Sequence, residues 1–295
     1  MEGNDDRTLT LADSLLCFAQ LQCIALMWTL LKQSPIPGKP AIDKAIVVCP
    51  SSLVRNWANE LVKWLGEGAT NPLAIDGKQT GPEIAEAINQ WCSAKGKAVV
   101  TPIVIVSYER LRMLSDRLGN TEVGLLLADE GHRLKNADNL TYNGLNTINC
   151  KRRIILTGTP IQNDLNEYFS LLNFCNPGYL GTKENFRKQF ELPILHGRDG
   201  DATDKQKEKG DAALKDLLLK VNKFIIRRTN DLLSKYRTSS LTPDPPPDSR
   251  SCFAYASVIV SSPRQVRARR VLFALAVPAR PVQILQQLAR DQGAR

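Results

Sequence analysis

Apolar and polar positions alternate on two scales along the first half of the chain. Short continuous apolar runs occupy residues 45–49, 73–76, 103–107, 123–129 and 153–156, each closed by polar, Gly or Pro residues. Runs of this length and composition suit strands buried on both faces of a parallel sheet. Between them lie longer stretches with helical spacing, at residues 53–64, 82–92 and 165–175. Residues 21–31 read as a buried helix, and Pro35, Pro37, Gly38 and Pro40 break the chain after it. Strands alternating with helices predict an α/β fold: a parallel sheet with helices on both faces.

The pattern changes after residue 178. Residues 179–236 read as helices interrupted by a charged, flexible stretch at 196–210. A helix over 212–226 carries Leu214, Leu217, Leu218, Val221 and Ile225 on one face. From 237 onward a proline cluster (Pro243, Pro245, Pro246, Pro247) leads into an arginine-rich tail with no Lys and no Glu, expected to be disordered.

Composition changes this picture little. The net charge of +9 would suggest an anionic partner, but residues 237–295 hold nine Arg against three Asp and so carry +6 of it. The body is close to neutral, and local patches must carry any nucleic-acid argument. Seven cysteines without a Cys-x-x-Cys pair imply reduced thiols in an intracellular compartment. Residues 9–31 are the nearest approach to a membrane span. Asp13, Gln20 and Gln22 interrupt them, and a charge at mid-span costs about 2.5–3.5 kcal/mol, so no membrane partner is expected.

Candidate chemistry sits where the apolar run 123–128 breaks into Asp129-Glu130-Gly131-His132. Ligands of open α/β sheets bind beyond the carboxyl ends of the strands. Adjacent carboxylates there can hold Mg²⁺ through water and orient a water for attack on a phosphate. The alternative is that the two acids merely favour the start of a following helix. A second apolar run, the Ile154-Ile155-Leu156 that follows Arg152-Arg153, breaks similarly into Thr157-Gly158-Thr159-Pro160.

These two breaks resemble the second and third motifs of superfamily-two helicases, and Gln162-Asn163 adds a resemblance to the Swi/Snf family of DNA-dependent ATPases. Residues 50–57 (Pro-Ser-Ser-Leu-Val-Arg-Asn-Trp), 161–169 and 190–195 are similar to the recombination translocases of the Rad fifty-four type. The resemblance implies a RecA-like first helicase lobe over 21–178, a helical insertion and inter-lobe linker over 179–236, and an unrelated tail over 237–295. It further implies ATP and Mg²⁺ as cofactors, double-stranded DNA as partner, a RecA-like recombinase and nucleosomes as further partners, and nuclear residence. Asp129 would bind Mg²⁺ through water, Glu130 would polarise the attacking water, and His132, Thr157, Gly158 and Thr159 would couple nucleotide state to DNA grip. Ser51, Ser52, Arg55 and Asn56, with Ser107 and Tyr108 after the next strand, would meet DNA phosphates at strand-to-helix turns. Ordinary helix capping is the other reading of both turns.

One requirement of the resemblance is unmet. The family places a phosphate cradle, with a Lys for the phosphates and a Thr for Mg²⁺, just before the helix at residue 21. Here those positions hold Ala19 and Gln20, and bulky Leu16 and Phe18 stand where glycines belong. Residues 1–20 thus replace the phosphate-loop region, and the resemblance covers no second lobe to supply an arginine finger. The expectation is part of a DNA translocase that is inactive alone, with a non-catalytic DNA- or recombinase-binding module, or a splicing artefact, as the alternatives.

Overall fold

A computed structural model describes residues 11–34, 36, 38–77, 79–134, 140–157, 164–228 and 256–260. Five parallel strands form the sheet's backbone: β1 (Ala45–Cys49), β2 (Leu73–Ile75), β3 (Ile103–Ser107), β4 (Leu125–Ala128) and β5 (Arg153–Thr157). Two further strands, β6 (Ile225–Arg228) and β7 (Ala256–Val260), complete the order β2-β3-β1-β4-β5-β7-β6. The helices on its first face are α1 (Leu11–Lys32) and α2 (Val54–Leu65). On the other are α3 (Gly81–Ser93), α4 (Tyr108–Leu118), α5 (Leu140–Asn146) and α6 (Leu165–Cys175).

Strand periodicity explains the two layers. Ala45, Val47 and Cys49 of β1, with Leu125 and Leu127 of β4, pack beneath α1 and α2 around Ile24, Met27, Trp57 and Leu61. Ile46 and Val48, with Leu126 and Ala128, point the opposite way, into a core built on Ile88, Leu111, Leu145 and Phe174. Every residue of β1, β3, β4 and β5 is buried, as expected of runs apolar on both faces. Capping sets the helix starts. Thr80 and Glu83 form a reciprocal box at α3, Ser107 accepts from Arg110 N at α4, and Asp164 accepts from Asn166 N and Glu167 N at α6.

Beyond α6 the chain forms α7 (Lys183–Phe186), a π-helical turn at Arg187–Glu191, α8 (Leu192–Arg198) and α9 (Asp204–Val221). Three sequence expectations are corrected in this region and at the start of the chain. The stretch 196–210, expected to be flexible, is largely helix, because a Thr203–Gln206 capping box starts α9 eight residues before the expected 212. The charged residues of 204–211 face solvent, so their lack of apolar content does not prevent helix formation. Gly197 and Gly210 let α8 and α9 cross closely: a Cβ on Gly210 would lie 2.9 Å from Pro193 O and 3.1 Å from Gly197 Cα. Residues 225 and 226, expected to end that helix, instead begin β6. The first helix starts at Leu11 rather than at residue 21.

Within the segment expected to be a disordered tail, Ala256–Val260 forms β7, antiparallel to both β5 and β6. A short segment rich in β-branched residues can add to any open strand edge, and β5 offers one. Among the described residues, no helix is long and apolar enough to cross a membrane.

Candidate functional site

The carboxyl ends of β1, β3, β4 and β5 open onto one rim of the sheet. They deliver there Ser51 and Ser52, Ser107 and Tyr108, Asp129 and Glu130, and Thr157. Asp129 is fully buried. Its backbone N–H extends the ladder to Val48 O at 2.7 Å, which fixes the residue to the end of β1. Trp57 Nε1 donates to Asp129 Oδ2 at 2.7 Å, Gln20 Nε2 approaches the same oxygen at 3.4 Å, and Glu130 N donates to Oδ1 at 2.9 Å. Tyr108 Oη donates to the Asp129 carbonyl at 2.6 Å. Both carboxylate oxygens therefore accept hydrogen bonds from the protein itself.

Burial holds the Asp129 carboxyl above the usual carboxylate range. The Trp57 and Gln20 hydrogen bonds oppose that rise and the Glu130 charge adds to it. The same environment acts on its neighbours: the Cys49 thiol is pushed up to about 12, by burial first and by the Asp129 charge second. Cys23, fully buried on α1, is raised further for the same two reasons.

Glu130 turns away from this pocket. Its φ of 52° is left-handed, unusual for a residue with a side chain, and it leaves the carboxylate a quarter exposed. Glu130 Oε2 lies 3.1 Å from His132 Nδ1. Gly131 is required between them, because a Cβ there would sit 2.1 Å from Ile155 Cγ2. The left-handed turn and the glycine together bring the chain close against β5, with Asp129 buried and Glu130 a quarter exposed.

The cradle positions lie within α1. Ala19 and Gln20 are buried, at 4% and 3% exposure. Residues 16–20 lie past the first turn of the helix, so their N–H groups are spent on carbonyls four residues back and none is left to wrap a phosphate. The side chains of Leu16 and Phe18 are outside the described residues. With no lysine at 19, no hydroxyl at 20, and a buried carboxylate that already accepts from indole, amide and backbone donors, this arrangement does not fit a Mg²⁺–triphosphate.

The expected DNA-facing residues divide. Ser51, Ser52, Arg55 and Asn56 are exposed on the short turn Ser51–Leu53 and the first turn of α2. Arg55 Nε and Nη2 both donate to Asp76 Oδ2, at 2.9 and 2.8 Å, an ion pair on an otherwise open side chain. Ser107 and Tyr108, by contrast, are buried at 4% and 2%, one capping α4 and the other bracing Asp129. They are corrected from phosphate contacts to structural supports. Gly158 and Thr159 lie outside the described residues; Thr157 is buried at the end of β5.

Sequence reasoning missed Trp57 as the partner of Asp129 and Gly131 as the pivot. A tryptophan at helical spacing from Leu61 reads as core, and nothing in the sequence marks its indole N–H as aimed at a carboxylate 72 residues away.

A profile described as SNF2-related domain matches residues 6–243. The chain is 61% identical over 226 residues to DNA repair protein rhp54 of Schizosaccharomyces pombe, covering 77% of this chain and 26% of that protein. It is 59% identical over 231 residues to DNA repair and recombination protein RAD54 of Saccharomyces cerevisiae, with 77% and 26% covered. To the human RAD54-like protein identity is 52% over 226 residues, with 77% and 30% covered. The chain thus spans between a quarter and a third of the length of these relatives. The Sulfolobus solfataricus SWI2/SNF2 ATPase core in complex with dsDNA is similar with a TM-score of 0.43 and 26% identity, over 58% of this chain and 32% of that one.

Proposed function

The chain belongs to the SNF2-related domain family, and we propose that it is part of a double-stranded-DNA translocase of homologous recombination that neither holds nor hydrolyses ATP in this form. The supporting observation is the closed carboxylate. Asp129, at the strand tip where this family uses ATP and Mg²⁺, is buried and already accepts from Trp57, Gln20 and its own backbone. The names of the relatives, DNA repair and recombination proteins, support the biological setting. On this reading the chain acts in the nucleus, and the complete protein uses ATP to move on duplex DNA and remodels recombinase filaments or nucleosomes. Residues 21–178 are the first ATPase lobe, and 179–236 the helical insertion.

The exposed turn at Ser51, Ser52, Arg55 and Asn56 favours a second reading, a non-catalytic DNA-binding module. Hydroxyls and a guanidinium at the start of a helix suit a phosphate, and this turn remains open while the acid site is closed. The Asp76 carboxylate then exchanges for phosphate at Arg55, a swap favoured at low salt.

One pair of measurements tests both. ATP turnover on long duplex DNA is expected to be at background. Turnover that Glu130→Gln abolishes overturns the inactive reading. Duplex binding that weakens with salt, does not respond to nucleotide and is lost on Arg55→Ala supports the binding module.

A further inference from the structure

We propose that the outer edge of β5 is a strand-accepting slot whose built-in occupant is Ala256–Val260. Among the described residues β7 is the last strand in chain order, yet it sits inside the sheet. It pairs with β5 from Ile154↔Val260 to Thr157↔Ser257, and with β6 from Ile225↔Ile259 to Arg228↔Ala256. Among the described residues β6 joins the sheet only through β7. The family match ends at residue 243, so this inner strand comes from sequence beyond it. A segment from beyond the family match completes the sheet.

The physical basis is the unpaired ladder of β5. An open edge on a hydrophobic parallel sheet presents a row of free N–H and C=O groups, which another strand satisfies at no cost in side-chain identity. α1 and α6 lie against β7 from the two faces of the sheet, so the slot is walled on both sides and takes one extended strand. Its chemistry selects a short β-branched apolar peptide: the backbone ladder supplies affinity and alternate residues supply specificity. Residues 256–260 read Ala-Ser-Val-Ile-Val, without Gly or Pro, and Ser261-Ser262-Pro263 ends the run. Tethering raises the effective concentration of this segment at the slot, so a free peptide of the same sequence competes poorly until the attached strand is removed. Because β6 follows α9 directly, occupancy of the slot also decides whether the end of the helical insertion is fastened to the sheet.

The test uses the full chain, wild type and Val258→Pro, by hydrogen exchange with mass spectrometry, together with a fluorescein-labelled peptide of residues 254–262. Proline removes a ladder N–H from a strand paired on both sides. In the wild type, amides at 154–157, 225–228 and 256–260 are expected to be protected, and the labelled peptide not to bind. In Val258→Pro, exchange at 225–228 and 256–260 accelerates about tenfold or more, protection at 45–49 and 103–107 is unchanged, and the peptide binds. Wild-type exchange at 256–260 at the rate of the free peptide overturns the proposal, and so does peptide binding equally to both chains. If Val258→Pro loses protection throughout, wild-type protection at 256–260 decides alone. Light scattering is expected to give a monomer; a dimer that dissociates in Val258→Pro would overturn the intramolecular assignment.

Discussion

The indole N–H of Trp57, on α2, donates to Asp129 Oδ2 at 2.7 Å across 72 residues of sequence, and both side chains are wholly buried. This bond joins the helix after β1 to the acid after β4, and it occupies an oxygen that a hydrated metal would need. Trp57→Phe keeps most of the apolar volume and removes the donor. The expected cost is about 1–3 kcal/mol, the penalty for leaving a buried acceptor short of a partner, read as a lower denaturant midpoint at unchanged slope.

Asp129 also predicts a pH dependence. Its carboxyl is held above the range it has in the unfolded chain, chiefly by burial. The folded state then binds the proton more tightly, so stability from this group is greatest below the unfolded value near 3.8 and falls as pH rises toward the raised folded value. Asp129→Asn does not titrate. The stability of wild type minus that of Asp129→Asn is therefore expected to decline with rising pH across that window and to level off above it. Urea titrations of both chains at a series of pH values measure this difference, and a difference that grows with pH would contradict it.

Gly131→Ala places a methyl 2.1 Å from Ile155 Cγ2 of β5. The clash is with a core side chain at the centre of β5, which has little room to yield. Overpacking of this kind is expected to cost about 1–3 kcal/mol, measured by thermal or chemical unfolding.

Arg153 is a buried cation that donates to Asn146 Oδ1 at 2.6 Å, Phe174 O at 3.1 Å and Cys150 O at 3.3 Å. Its guanidinium also lies 4.6 Å from the Phe174 ring centroid. Arg153→Met fills much of the space but strips two carbonyls of a donor. A loss of about 2–4 kcal/mol is expected in equilibrium unfolding, larger than for either substitution above at its low end.

The thiols separate by environment. Cys49 is pushed up to about 12 and Cys150 to about 11 by burial, whereas Cys92 is half-exposed. Since the thiolate is the reacting species, iodoacetamide at pH 8 is expected to label Cys92 first among Cys23, Cys49, Cys92, Cys150 and Cys175. Peptide mapping of a time course checks the order, and early labelling of Cys49 would mean that the sheet opens at β1.

Much of this architecture was legible from residues alone. The runs at 45–49, 103–106 and 154–156 are apolar at consecutive positions, which suits a doubly covered strand, and each lies in one. The acids at 129 and 130 were legible as a strand tip for the same reason. The course of 204–211 was not, because a charged helix lying on the surface carries no apolar stripe until it meets Gly197 and Pro193. Ser107 and Tyr108 looked like residues for a phosphate because hydroxyls at strand-to-helix turns serve either use. Their burial is a matter of which neighbours arrive.

Local pattern determined the five parallel strands, the helices near 53–64, 82–92 and 165–175, and that the chain belongs among the SNF2-related domains, since periodicity and motif order are properties of consecutive residues. Tertiary structure alone decided that Gln20 and Trp57 meet at Asp129, that Asp129 is buried while Glu130 stays partly exposed, and that a segment from beyond residue 243 enters the sheet. Those outcomes depend on which distant groups satisfy a buried carboxylate or an open ladder, and the chemistry of one position does not name its partner.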